Sequence, residues 1–193
     1  MEGLAASPVS DGGGYCTEDA SFFREADEEA AADTSSAEVG RGDRLYVYVV
    51  GGRNRGKTVA VVERYSMAEG KWERCPSMLV SRGSHGVCAE GGKVYAVAGG
   101  GINSNLNSCE VYDETAGCWE HTRPLCTARH ALAATSGGGK IYAVGGWVNG
   151  NHCTGETECL DVLSGVWKTC SPLKVPRRLH GVAELDNRVY AFG

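Results

Sequence analysis

No apolar run in these 193 residues approaches the roughly 20 residues that a membrane-spanning helix needs, so no membrane partner is expected. The N-terminus has no basic stretch followed by an apolar one, so no secretory signal is read there. No Asn-x-Ser/Thr acceptor occurs, and no two cysteines stand in Cys-x-x-Cys spacing. The second absence removes the common zinc and redox signatures. The nine cysteines are odd in number, and Cys109, Cys118, Cys153 and Cys159 follow no common spacing. A disulfide framework is therefore not expected, and reduced thiols in a cytoplasmic setting fit best. The five histidines (His85, His121, His130, His152 and His180) show no metal-ligand spacing, and no Gly-x-Ser-x-Gly nucleophile turn is present. Neither metal nor cofactor is expected. With a formal net charge of −5 the chain is not a basic nucleic-acid binder.

The charge is unevenly placed. Residues 1–43 carry 11 Asp/Glu and 2 Arg, a net −9, while residues 44–193 carry 13 acidic and 17 basic residues, a net +4. The first segment is rich in Ala, Gly, Ser and Glu and lacks alternating apolar residues, so it reads as an acidic disordered leader. Within it, ASFFREADEEAAAD is compatible with a short helix that places Phe22, Phe23 and Ala26 on one side.

What the remainder has is a repeat. Glycine pairs stand at Gly51-Gly52, Gly99-Gly100 and Gly145-Gly146, and the chain stops at Gly193. The first members are 48, 46 and 48 residues apart. Trp72, Trp119 and Trp167 recur at 47 and 48, as do Tyr65, Tyr112 and Leu160. Arg82, Arg129 and Arg177 keep the same phase. Landmarks in register decide the fold before any single motif does. Within the period from Arg82, HGVCA and KVYAVA flank the tight turn EGGK and read as a hairpin. SCEVYDE alternates like a half-buried strand, and CWEHT is a last short strand. Nothing in the period keeps helical spacing over two turns.

Four short strands per 45–50 residues is the plan of a β-propeller blade. The Gly-Gly pair, the tyrosine of the third strand and the tryptophan of the fourth resemble the kelch motif, and PLKVPRRLHGVAELDNRVYAFG resembles kelch-like adaptor proteins in particular. Leu160 departs from the pattern, as does one extra residue between Tyr95 and Gly99. The expected fold is all-β: kelch-type propeller blades, incomplete, about two full and two partial. The boundaries read 44–81 for a partial blade, 82–128 and 129–176 for blades, and 177–193 for a second partial blade. The glycine pairs, Tyr65, Tyr112, Trp72, Trp119 and Trp167 are expected to be structural, the tryptophans as core residues. Trp147 breaks the phase and is expected in a more exposed loop.

The resemblance implies a non-enzymatic protein-interaction module of the substrate-receptor or scaffold type. Loops 51–60, 99–107 and 145–156 would line one mouth of a central funnel. Arg53, Arg55, Lys57, Asn103 and Asn149 lie on these loops, and Ser84 and Arg178 open the first strands facing the same mouth. The basic cluster favours a protein or acidic-peptide partner. By resemblance, the wider assembly would involve a cullin-type ubiquitin ligase or cytoskeletal components. One alternative is a fragment of a kelch-fold enzyme of the oxidase or sialic acid epimerase type. Another is a P-loop nucleotide binder, because GGRNRGKT at residues 51–58 matches Gly-x4-Gly-Lys-[Ser/Thr]. A P-loop requires a helix next, and VAVVERYS reads as a strand.

Overall fold

The computed structural model describes the backbone of residues 21–24 and, with side chains, residues 45–101, 104–149 and 152–193. Every regular element among them is a strand. The first sheet is built from β1 (Ser21–Arg24), β2 (Tyr46–Val50), β5 (Val62–Ser66) and β6 (Lys71–Cys75), with a small hairpin, β3 (Arg53–Asn54) and β4 (Lys57–Thr58), between β2 and β5. The second holds β7 (Gly86–Glu90), β8 (Lys93–Gly100), β9 (Asn105–Asp113) and β10 (Cys118–Thr122). The third holds β12 (Ala133–Gly137), β13 (Lys140–Val144), β16 (Thr157–Asp161) and β17 (Val166–Cys170). Beside it, β11 (Arg129–His130), β14 (Trp147–Val148) and β15 (His152–Cys153) form a small sheet. A hairpin of β18 (Gly181–Leu185) and β19 (Arg188–Phe192) is the fourth unit.

Each large sheet is an antiparallel meander with its first strand at one edge. First strands neighbour one another: β1 lies by β7, β7 by β12, and β12 by β18. The first strands are therefore innermost and the blades radiate from them. The core sits between blades. From β8, Val94 and Ala96 join Tyr46, Tyr48, Val50 and Met78 of the first blade. The alternate residues Tyr95 and Val97 join Leu132, Ile141, Ala143 and Leu160 of the third. Strand side chains alternate in direction, so a strand buried on both sides must be apolar throughout, as KVYAVA is.

Two expectations need correction. Ser21–Arg24 pairs antiparallel with β2, with Ser21 opposite Val50 and Arg24 opposite Val47. The helix expected around Phe22 and Phe23 is thus a strand, and the first blade gains an innermost strand that no in-phase motif announces. The rest of the leader, and Ala26 with it, lies outside the described residues. The second correction concerns the glycine pair. Gly51 and Gly52 have φ of 61° and 100°, and Gly145 and Gly146 have 60° and 110°. In the second blade the matching angles, 56° and 105°, belong to Ala98 and Gly99. The structural pair is Ala98-Gly99, where the ladder of β8 and β9 shifts register, and Gly100 lies one place beyond it. Tyr48, Tyr95 and Tyr142 then all stand three residues before the pair.

Packing accounts for the exchange. A Cβ on Gly51 would stand 2.7 Å from the Arg82 carbonyl oxygen and 3.0 Å from His85 Cε1 of the next blade. On Gly145 it would meet the Arg177 carbonyl at 2.7 Å and His180 Cε1 at 2.9 Å. The residue in phase with His85 and His180 in the third blade is Leu132, which belongs to one core cluster with Ala98. Glycine goes with His, alanine with Leu.

His85 is only 3% exposed. Burial, with the Arg82 charge, lowers its pKa from 6.5 to about 3. The unfolded chain takes up this proton near pH 6.5 and the folded chain does not until about pH 3, so stability is complete above 6.5 and falls between these values. We expect a loss of about 2 kcal/mol at pH 5 relative to pH 7.5, at ~1.4 kcal/mol per unit. Urea unfolding at both pH values should show it, and His85→Gln should flatten the difference. An equal pH slope in the variant would refute the assignment.

Candidate functional site at one end of the blades

The chain leaves every second strand at the same end, and there it meets the start of the next blade. Gly52 N–H donates to the Arg82 carbonyl at 2.8 Å, and Gly146 N–H to that of Arg177 at 2.9 Å. Two residues past each arginine stands a non-glycine residue in the left-handed region: Ser84 (φ 50°), Ala131 (φ 52°) and Leu179 (φ 53°). Ala131 N–H donates to the Ser84 carbonyl at 2.7 Å, and Leu179 N–H to the Ala131 carbonyl at 2.9 Å. This backbone thread runs from blade to blade along the rim.

Two of the in-phase arginines, Arg82 and Arg129, hold the rim from beneath. Arg82 is fully buried and donates through Nη1 to the carbonyls of Ala98 (2.7 Å) and Ser108 (2.8 Å) and through Nη2 to Glu110. Glu110 also accepts from the backbone N–H groups of Leu79 and Val80. Arg129 repeats the arrangement with Glu158 at 3.0 Å, and Glu158 accepts from Cys126 N–H at 2.9 Å. Burial pulls the Arg129 pKa below the ordinary guanidinium value, against the attraction of Glu158. Glu63, Glu110 and Glu158 recur at 47 and 48, a signal present in the sequence beside that of the arginines. In the first blade Glu63 is exposed.

Above this frame the loops carry the expected contact residues. Residues 51–58 form no P-loop. Arg53 pairs with Thr58 and Asn54 with Lys57 in a hairpin. It closes through Arg55 (φ 49°) and Gly56 (φ 78°), the two left-handed positions of a tight hairpin turn. Strand β5 follows where a phosphate-binding helix would be required. The nucleotide-binding alternative is thereby overturned.

Arg53, Arg55 and Lys57 are exposed. Asn54, Arg55, Lys57, Thr58 and Val59 line a shallow depression. Arg53 leans over the next blade: a Cβ on Gly83 would stand 3.0 Å from its Cγ, and one on Gly100 would stand 3.4 Å from its Nη2. Small residues there leave the arginine its berth. The contacts continue across the rim. His130 and Asn105 meet through Nδ1 and Oδ1 at 2.7 Å, and Asn105 Nδ2 donates to the Trp147 carbonyl at 3.1 Å. Because the amide nitrogen of Asn105 faces that carbonyl, its oxygen faces His130, and the imidazole donates from Nδ1. The Trp147 ring carries the Arg178 guanidinium at 4.1 Å from its centroid.

Of the residues expected at the mouth, the structure joins Arg53, Arg55, Lys57, Ser84 and Arg178 to one rim. Ser84 is half-buried in the backbone thread, and Asn149 is exposed at the β14–β15 turn. Asn103 lies outside the described residues. Asn105, His130 and Trp147, which bridge the rim, carry no in-phase signature. Trp147 is half-buried and less open than Trp72, which is 51% exposed. The expectation of a core residue at 72 is corrected. Trp119 and Trp167 donate their indole N–H to the carbonyls of Pro76 (3.0 Å) and Arg123 (2.8 Å) in the preceding blade, and no described blade precedes Trp72.

The described cysteines are free thiols, with Cys75, Cys88 and Cys109 buried. Burial pushes the Cys109 thiol up to about 11. Among the described residues no cluster of His, Cys, Asp and Glu has the geometry of a metal site.

A family model described as the Kelch motif matches residues 44–79, 81–125 and 128–174. Among solved structures, that of YjhT is similar at a TM-score of 0.64 and 14% sequence identity. The match covers 74% of this chain and 54% of that one, so the chain spans about half the length of that protein. At such identity the likeness is one of fold.

Proposed function

Because the chain belongs to the kelch-motif family, we propose that it is a protein-interaction module of the scaffold or substrate-receptor type, taking an acidic peptide of its partner at the rim. The family supports an interaction fold, and the function has to be argued from the site. The observation that carries it is the unbroken band of contacts from Arg53 across Gly83 and Gly100 to His130, Asn105, Trp147 and Arg178. It places exposed cations at both ends of a surface whose middle is neutral and held by hydrogen bonds. Loops seated on a rigid scaffold present such groups at low ordering cost. Arginine suits carboxylate partners because its planar fork offers paired donors.

Arg55→Glu tests the proposal, since Arg55 is exposed and no described contact of the fold depends on it. We expect retention on an immobilised acidic peptide to fall by about tenfold, the order expected when a rim charge is reversed. The circular dichroism spectrum should stay unchanged. Retention equal to wild type would reject the rim as the site.

A further inference from the structure

The residues that match a P-loop pattern without forming one carry a second pattern. Arg53 and Arg55 stand five and three residues before Thr58. Among the serines and threonines of the chain, only Ser77 also has an arginine three residues before it, and there Trp72 stands where the second arginine would be. Protein kinases that select basic substrates read such a pattern through acidic grooves, by charge complementarity along an extended peptide.

Residues 53–57 are exposed and Thr58 is half-buried. Thr58 lies directly opposite Arg53 in the hairpin, so the two side chains leave the same face with their Cβ atoms about 5 Å apart. The Thr58 hydroxyl shares a hydrogen bond with that of Ser81 at 3.2 Å. Arg53 leans towards Gly83 of the same loop. A group carried on Thr58 Oγ1 is therefore delivered between the Ser81 hydroxyl and the Arg53 guanidinium. Arg53 Nη1 donates to the Gly56 carbonyl at 3.4 Å, and a guanidinium has five N–H groups, enough to add a phosphate to the bonds it already makes. A kinase holds its acceptor segment extended, so the hairpin has to open. Two residue pairs join it, and a Cβ on Gly56 would meet nothing within 4 Å. Such local opening takes little free energy. It leaves the blade whole, because the bonds from Gly51 N–H to the Val61 carbonyl (2.9 Å) and from Arg82 N–H to that of Val59 (3.2 Å) lie below the hairpin.

We propose that Thr58 is a phosphorylation site, and that its phosphate, held by Arg53, closes the rim to acidic ligands. The second half rests on the acidic-ligand reading above. In the modifying step Thr58 Oγ1 attacks the γ-phosphorus of a nucleoside triphosphate supplied with the kinase. The bond from that phosphorus to the bridging oxygen breaks, the nucleoside diphosphate leaves, and the hydroxyl proton passes to the kinase base. Arg53, Arg55 and Lys57 give the hairpin a charge of +3. A phosphate brings about −1.5 to −2, which leaves roughly +1. The phosphate also occupies the planar donors that a partner's carboxylate would use, with charge-assisted bonds stronger than neutral ones. The modified rim is thus both less cationic and already filled.

Three readouts on the full chain test the proposal. The folded protein is treated with magnesium ATP and a protein kinase that requires arginine at both positions, and the product is mapped by mass spectrometry. One phosphate on Thr58 is expected, absent from Thr58→Val. Phosphate confined to Ser77, or none on Thr58, overturns the site. The second readout is a phosphorus NMR titration of the modified protein. An ordinary phosphothreonine takes up its proton near about pH 6. The folded protein should titrate about one unit lower than the same chain unfolded in urea, because a guanidinium beside the phosphate favours the dianion. Equal midpoints would show that Arg53 does not hold it. The third is the affinity of fluorescein-labelled hexaglutamate, measured by anisotropy at low salt. Phosphorylation should weaken it by about tenfold and phosphatase should restore it, while kinase-treated Thr58→Val stays unchanged. If the modified protein binds hexaglutamate as before but Arg55→Glu weakens it, the switch falls and the rim reading stands. If the unmodified protein binds no hexaglutamate, the acidic-ligand reading falls and the switch with it, and the Thr58 site is decided by the first two readouts.

Discussion

Arg82→Ala should destabilise the protein by about 3–5 kcal/mol, because it leaves the Glu110 carboxylate buried without its counter-ion. Arg82 and Glu110 are both fully buried. Arg82 also holds the carbonyls of Ala98 and Ser108, and Glu110 holds the N–H groups of Leu79 and Val80. One pair therefore joins the loop between two blades to the left-handed kink of the second strand. A truncated arginine orphans several groups at once, and a buried polar group without a partner carries its full desolvation cost. Glu63→Gln is the control. It removes the in-phase acid of the first blade, which is exposed, and should change stability by less than about 0.5 kcal/mol. Urea unfolding of the two variants decides the matter. A loss below about 1 kcal/mol for Arg82→Ala would show that the pair is dispensable to the fold.

Trp119→Ala should cost about 3–5 kcal/mol, and Trp72→Ala less than about 1, although the two residues occupy the same place in consecutive repeats. Trp119 is 5% exposed, stacks at 5.4 Å on Tyr112 and bonds Pro76 across the blade interface. Trp72 makes the equivalent 5.4 Å contact with Tyr65 but is 51% exposed. The difference between the variants therefore measures the interface rather than the residue. Denaturant midpoints, with Tm as a second measure, give the comparison. Equal costs at both sites would mean that the indole stabilises its own sheet and not the joint.

The fold was legible because its period of about 47 residues appears in several residue types at once, and because hairpin turns and apolar strands are local signals. Three features were hidden for physical reasons. Ser21–Arg24 pairs with a strand more than twenty residues away, and pairing at that distance leaves no local pattern. Ala98 occupies a left-handed position for which glycine is the usual choice, so Gly99-Gly100 looked like the pair until the backbone angles and the register shift of the ladder placed it one residue earlier. Glu110 and Glu158 stand in strands whose apolar and polar residues alternate, where nothing local marks an acid as buried, although their spacing matches that of the arginines that pair with them.

The candidate site was legible only in part. The basic hairpin declared itself by composition. The bridge of Asn105, His130 and Trp147 did not, since it depends on which loops the blades bring side by side.

The thread of Ser84, Ala131 and Leu179 bears on how the molecule comes apart. A left-handed conformation costs a non-glycine residue on the order of 1 kcal/mol or more. That cost falls on a single blade, while the hydrogen bond that compensates it needs two. A blade alone is a strained corner with nothing to bond, and a blade between neighbours is relieved on both sides. Cohesion is then a nearest-neighbour coupling, as in a short one-dimensional lattice, where the interior sites are tied twice and the terminal sites once. Damage at a joint would appear as lost cooperativity, with one melting step becoming several, while every sheet kept its strands.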